Sequence, residues 1–108
     1  MNPKYEQAKK ELEGVGRTRI KVFGNSMTPI IKSGAQLIFE PFAEYEKGDI
    51  VFCKVQGRYI DAHKITAKNN KKGYKISNNH GWDNGWTKTI YGSVVEIDGK
   101  PYGSRKRK

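Results

Sequence analysis

Ser26 is the residue whose setting most resembles that of a nucleophile. It lies in Gly24-Asn25-Ser26-Met27-Thr28-Pro29, directly after an alternating apolar stretch. Pro29 keeps Thr28 out of the helical region, so the segment is a turn rather than the start of a helix. A hydroxyl on such a turn can project into a cleft with its own backbone N–H beside it as an oxyanion donor. Asn25 and Met27 flank the serine and are the candidates for lining that hole or the substrate pocket. A serine in a turn is most often there for the turn alone, since its hydroxyl bonds nearby backbone. Chemistry needs a base as well, because a serine hydroxyl attacks carbonyls only when its proton is taken. An imidazole, which ordinarily titrates near ~6.5, suits that task at neutral pH, whereas a lysine must first be desolvated. The chain has two histidines, His63 and His80. His63 falls in an alternating strand pattern, while His80 lies among turn residues and reads as a surface group. Two histidines with the single Cys53 make a poor metal set, so neither metal nor cofactor is expected.

The elements that must position these groups are short and mostly extended. Helix formers run from Pro3 to Glu13, with Pro3 placed to open a helix and Gly14 to end it. Its apolar stripe is only Tyr5, Ala8 and Leu12, which predicts a helix lying across the domain edge. From Thr18 the period becomes two, and Ile20 and Val22 mark a strand that stops at Gly24. Residues 35–40 read as a second strand, closed by Pro41, and Lys47-Gly48-Asp49 as a turn into a third strand over residues 50–55. Gln56-Gly57-Arg58 reads as a tight hairpin turn returning through residues 59–65, and Asn69 to Gly73 as another turn into Tyr74-Lys75-Ile76. A last strand runs from Ile90 to Ile97, and Asp98-Gly99 turns the chain. Cys53, alternating with Val51 and Val55, reads as a core residue. Trp82 and Trp86 flank Asn84-Gly85. They are expected either to fold a loop onto the sheet by burying both rings or to form a platform for a peptide or for bases.

Composition bounds the rest. A chain of 108 residues with 12 glycines spread between short apolar runs fits one strand-and-turn domain. One cysteine cannot form an internal disulfide, which predicts a reducing, cytoplasmic setting. No stretch approaches the roughly 18 apolar residues of a membrane span, so no span is expected. Lysine and arginine number 21 against 11 aspartates and glutamates, a net charge of +10. That field favours anionic partners, nucleic acid above all, although scattered lysines also serve solubility. Part of the excess is the tail Gly103 to Lys108, whose Arg105, Lys106, Arg107 and Lys108 are the candidate nucleic-acid contacts in a basic, disordered end.

Four segments together resemble the superfamily that joins type I signal peptidases with the self-cleaving domains of LexA and phage repressors. Its nucleophile box has the form Gly-x-Ser-Met-x-Pro, which residues 24–29 match throughout. A Gly-Asp opening an apolar strand matches Gly48-Asp49-Ile50-Val51, and the base position falls within Asp61-Ala62-His63-Lys64-Ile65. The closing Gly-x-Val-Val-x-Ile strand resembles Gly92-Ser93-Val94-Val95-Glu96-Ile97. The resemblance spans about residues 18–97. It implies a mainly β fold of strongly bent antiparallel sheets or a partly closed barrel, with one short N-terminal helix. The domain would cover residues 18–102, after a helix and lead-in over residues 1–17 and before the tail at 103–108. It also implies a serine endopeptidase that cleaves itself or a partner protein, with Ser26 as nucleophile.

The base departs from the commoner pattern. Bacterial signal peptidases and LexA-like proteases carry lysine where this chain has His63, while archaeal and eukaryotic signal peptidases carry histidine, so the resemblance is to the Ser-His branch. A register shifted by one would make Lys64 the base and turn it to the opposite strand face. A third group should orient the imidazole. The family's late aspartate is matched by Asp83, and Asp61 is its rival because residues two apart on a strand share a face. Asp49 reads as a turn cap. The lead of 17 residues is too short for a helix-turn-helix domain with its own core, so the expected placement is a compact phage or mobile-element member. The other class of function is a binding module with a silent serine, its basic surface holding nucleic acid.

If nucleic acid is a partner, affinity for DNA or RNA should fall steeply as salt rises, through counterion release. Deleting Arg105 to Lys108 should flatten that slope. Undetectable binding to both at low salt assigns the lysines to solubility.

Overall fold

A computed structural model describes residues 3–102. The elements are α1 (Pro3–Gly14), β1 (Thr18–Lys21), β2 (Gln36–Glu40), β3 (Ile50–Val55), β4 (Arg58–Asn69), β5 (Gly73–Ser77), β6 (Asp83–Thr87), β7 (Ile90–Ile97) and β8 (Lys100–Pro101). The strands form one antiparallel sheet in the order β1-β2-β7-β3-β4-β5-β6, with β8 added to β7. The sheet curls into a half-barrel. The expected mainly β, strongly bent architecture with one short helix is therefore what the chain adopts.

Strand alternation builds two apolar clusters. On β3, Ile50 and Phe52 face one cluster while Val51, Cys53 and Val55 face the other. All five are at most 3% exposed, as befits a central strand covered on both sides. The first cluster takes Ile20 from β1, Leu37 and Phe39 from β2 and Val94 from β7, and is closed by Ala8 and Leu12 of α1. The helix thus belongs to the core. Tyr5 and Tyr59 pack their rings against Phe52, and the Tyr59 hydroxyl donates to Glu6, fastening α1 to the sheet. α1 ends at Gly14, as the sequence implies, and the amides of Val15 and Gly16 just beyond it both donate to the Glu11 carbonyl.

The hairpin expected at residues 56–58 is a two-residue turn. Val55 pairs with Arg58, and Gln56 and Gly57 both have positive φ (51° and 79°), the twist that a tight right-handed hairpin requires. At the next turn Asn69 Oδ1 accepts from the amides of Lys71 and Lys72. β4 runs four residues further than the pattern of residues 59–65 implies, and pairs with β5 out to Asn69 and Gly73.

β6 lies where a loop was expected. Asp83-Asn84-Gly85 is poor strand material, yet the segment pairs with β5 from Tyr74↔Thr87 to Ser77↔Asp83. The two tryptophans do not bury together: Trp82 is 68% exposed and Trp86 is half-buried, with Lys72 over its ring. What ties β6 down is polar. The Ser77 hydroxyl, itself buried, donates to Asp83 Oδ1 at 2.6 Å and lies 2.9 Å from Thr66 Oγ1, while Lys75 meets Asp83 Oδ2 at 3.2 Å.

Gly73 opens β5 directly against the end of β6. A Cβ there would lie 2.4 Å from the Thr87 carbonyl oxygen, on a backbone with φ of 93°. Gly73→Ala should destabilise the domain by about 1–3 kcal/mol. Gly99→Ala, with similar φ but open space around it, should cost less. Urea midpoints of the two variants check this ordering.

Candidate functional site

The serine turn belongs to the connection between β1 and β2. Its ends are tied by Val22 N–H to the Ala35 carbonyl, Gly34 N–H to the Val22 carbonyl and Gly24 N–H to Ser33 Oγ. Met27 and Ile31, each 3% exposed, are its apolar anchors in the first cluster, and Ile31 N–H donates to the Met27 carbonyl. Met27 also forms part of the wall beside Ser26, so one side chain fixes the turn and shapes the cleft. Asn25 contributes through its backbone: its carbonyl accepts from the Thr28 amide and hydroxyl.

A second loop, residues 78–82 between β5 and β6, clasps this turn. Asn79 N–H donates to the Ser26 carbonyl at 2.8 Å and Asn79 Nδ2 to the Thr28 carbonyl at 2.9 Å. His80 Nε2 lies 3.0 Å from the Asn25 carbonyl, an acceptor only, so that nitrogen carries a proton. Asn78 Oδ1 shapes the loop by accepting from the amides of His80 and Trp82. His80 is thus exposed, as expected of a turn residue, yet it holds the serine turn.

His63 comes to Ser26 from β4. Its Nε2 lies 3.1 Å from Ser26 Oγ, and its Nδ1 lies 2.5 Å from Asn84 Oδ1. An amide oxygen only accepts, so Nδ1 carries the ring proton and the neutral ring presents its Nε2 lone pair to the serine hydroxyl. That is the tautomer in which an imidazole can act as base. Lys64 points elsewhere, donating to Asn79 Oδ1 at 2.9 Å. The rival register thus ends in a bond that steadies the clasping loop.

Neither carboxylate expected behind the imidazole is there. Asp83 faces Ser77 and Lys75, and the Ser77 hydroxyl, followed by Lys75, holds its carboxyl below the usual range. Asp61 accepts from the Tyr5 hydroxyl at 2.8 Å. β-bulges explain both departures. Asn84 lies between the pairs Ile76↔Gly85 and Ser77↔Asp83, with no partner on β5, and a bulge of this kind re-aims the side chain it frees. On β4, three steps from Ile60 to His63 match two from Cys53 to Val51, so the rule that residues two apart share a face fails between Asp61 and His63. Asn84 is the site residue that strand alternation misses. Its signal was present as Asn-Gly inside a weak strand pattern, a usual mark of a bulge.

Beside Ser26 is a shallow cleft with walls of Val22, Phe23, Met27, Ile31 and Ala62, completed by Gly24 and Asp61. Phe23 is 69% exposed at this cleft. Cys53 is no competing nucleophile, because burial, then the charge of Asp61, pushes its thiol up to about 12. Among the described residues no group of histidine, cysteine and carboxylate side chains could hold a metal ion, and no helix is long and apolar enough to cross a membrane. Arg105 to Lys108 lie outside the described residues.

The tautomer can be read without any substrate. Nitrogen-15 NMR of labelled protein should show His63 protonated at Nδ1 when neutral, and Asn84→Ala should shift it towards a tautomer mixture. Asp83→Asn, which keeps Ser77 as a partner, should disturb the ring far less.

No curated protein gives a significant match. The Peptidase S24-like family profile matches residues 4–97, which takes in α1 from its second residue, the serine turn and every strand of the curled sheet except β8. The chain belongs to the Peptidase S24-like family.

Proposed function

We propose that the protein is a serine endopeptidase in which Ser26, His63 and Asn84 act as nucleophile, base and orienting group. The observation that carries this reading is the continuous line from Asn84 Oδ1 through the His63 ring to Ser26 Oγ, at 2.5 and 3.1 Å. Family membership and the cleft beside Ser26 support it.

In this mechanism Ser26 Oγ attacks a peptide carbonyl carbon while His63 Nε2 takes the hydroxyl proton. The C–O bond forms as the carbonyl π pair moves onto oxygen. The backbone N–H groups of Ser26 and Met27 are the nearest donors for that oxyanion, and among the described residues no backbone carbonyl takes them up. The imidazolium then gives its proton to the leaving amine as the C–N bond breaks. Water, activated by the same ring, hydrolyses the acyl-serine and restores the hydroxyl. Asn84 keeps Nδ1 protonated and the ring aimed. As a neutral acceptor it stabilises the imidazolium less than a carboxylate would, so orientation is its larger contribution. The substrate on this reading is the protein itself or a partner polypeptide, in the manner of the self-cleaving members that the sequence resembles.

Labelling with a fluorophosphonate, followed by mass spectrometry of the modified peptide, tests this directly. The expected product is a single adduct on Ser26, absent from Ser26→Ala, which should stay folded because a turn hydroxyl contributes little to stability. His63→Ala should slow labelling by about a thousandfold or more, since members of one catalytic unit fail together. Asn84→Ala should slow it by about tenfold, the value of one oriented hydrogen bond. Labelling that persists in Ser26→Ala shows that the nucleophile is another residue.

A further inference from the structure

The lysines are not spread evenly over the fold. Residues 62–95 hold six of them and one acid, which is half of the chain's net charge of +10. Two are engaged: Lys64 donates to Asn79, and Lys75 pairs with Asp83, the acid of this segment. The other four, Lys68, Lys71, Lys72 and Lys88, are exposed, and among the described residues none has a carboxylate partner. Strand pairing gathers them at one end of the sheet. The pair Asn69↔Gly73 closes β4 onto β5, with Lys71 and Lys72 in the turn between them and Lys68 one pair further in, opposite Tyr74. Lys88 follows β6, and a Cβ on Gly73 would lie 2.8 Å from its Cγ, so its stem rests against the same turn. Asn69 Oδ1 holds the amides of Lys71 and Lys72, which fixes the turn that carries them. Two rings stand among these charges. Trp86, half-buried on β6, has Lys72 Nζ 5.6 Å from its ring centroid and Lys75 as cross-strand partner on the same face. Tyr74 has Lys68 Nζ 5.8 Å from its ring centroid. Four like charges crowded without a counter-charge repel one another, and an anionic ligand relieves that repulsion.

We infer that this end of the sheet is a contact surface for single-stranded nucleic acid, with phosphates on Lys68, Lys71, Lys72 and Lys88 and a base stacked on Trp86. The lysines supply the sequence-independent attraction, and the ring supplies a π-face that any base can cover. A single strand fits better than a duplex, whose bases are already stacked on one another. Lys72 has the reach to exchange the indole for a phosphate and leave the ring to the base. An anionic lipid surface fits less well, because insertion there needs apolar side chains beside the basic ones. The large exposed apolar groups stand elsewhere: Val15 after α1, Phe23 and Ile30 between β1 and β2, and Trp82 in the loop before β6. The pair Tyr74↔Thr87 marks this end of β5 and β6, while Ser77↔Asp83 marks the end next to Asn84. The surface therefore stands apart from the serine turn, and the inference does not depend on the peptidase reading.

Fluorescence anisotropy of labelled oligothymidylate and oligouridylate, titrated with the full chain at several salt concentrations, tests this. Replacing Lys71, Lys72 and Lys88 together by Gln should reduce the slope of log affinity against log salt by about two, the share of three phosphate contacts on a single strand. Trp86→Ala should weaken binding about tenfold with the slope unchanged, and Trp86→Phe should keep most of the affinity. Trp82→Phe leaves Trp86 as the one tryptophan, and the oligonucleotide should quench its fluorescence. That last measurement leaves the β6 ring in place, so it stands even if Trp86→Ala does not fold. Absent binding, a slope unmoved by the lysine variant, or an unquenched Trp86 overturns the surface. So does duplex DNA that binds more tightly than either single strand. Phosphatidylserine vesicles that bind through the same lysines when no oligonucleotide does overturn it in favour of a membrane surface.

Discussion

Ser26 Oγ and His63 Nε2 meet at a hydrogen-bond length, the span that the proposed proton transfer requires, although their residues are 37 positions apart. Much of the structure around the site answers that requirement. The serine stands on a long connection that would wander if left to itself, and Met27 and Ile31 sink into the core to stop it. Its carbonyls are then taken by Asn79 and His80, groups on a loop that follows β5. The imidazole stands on the neighbouring strand β4, so both side chains are referred to the same stretch of sheet. Lys64 closes the loop of contacts, since the residue after the histidine reaches Asn79, which in turn holds the Ser26 carbonyl.

Polar groups carry much of the positioning because the apolar core lies to one side of it. The first cluster includes Met27 and Ile31, and the second includes Ile65 and Ile76. Between them the chain uses Thr66, Ser77 and Asp83 in a short relay to attach β6 to the sheet. Such a relay offers little burial energy, but it is directional. A bulged residue benefits from that directionality, because its side chain has no cross-strand neighbour to hold it.

Much of this was legible in the residues. Alternation and turn chemistry located β2, β3, β7 and the Gln56-Gly57 hairpin, because in those places local preference and global burial agree. The order of four boxes led to the family, which the match over residues 4–97 establishes, and to the bent β fold. Illegible were the features in which tertiary contacts override local preference. Asp83-Asn84-Gly85 pairs as a strand despite its composition, since Ser77 and Lys75 supply what side-chain packing does not. Asn84 escaped notice because a period of two, applied without bulges, assigns its neighbours to the wrong faces. Chemistry alone predicts a carboxylate behind the histidine, and an amide stands there. The exposure of Trp82 likewise depends on the path of the clasping loop, which no local pattern encodes.

β6 is the outermost strand on its side of the sheet; its ladder partner is β5, and Thr87 Oγ1 also donates to the Lys54 carbonyl of β3 at 2.6 Å. Edge strands open more easily than central ones, by local fluctuations that leave the rest of the fold intact. Asn84 therefore sits on an element whose opening free energy is well below that of β3 or β7. Each such opening releases the imidazole while Phe39 and Phe52 remain packed. The working lifetime of the arrangement is consequently set by the fraying of one five-residue strand, and a spectroscopic melt of the whole domain would overstate the temperature up to which the histidine stays aligned.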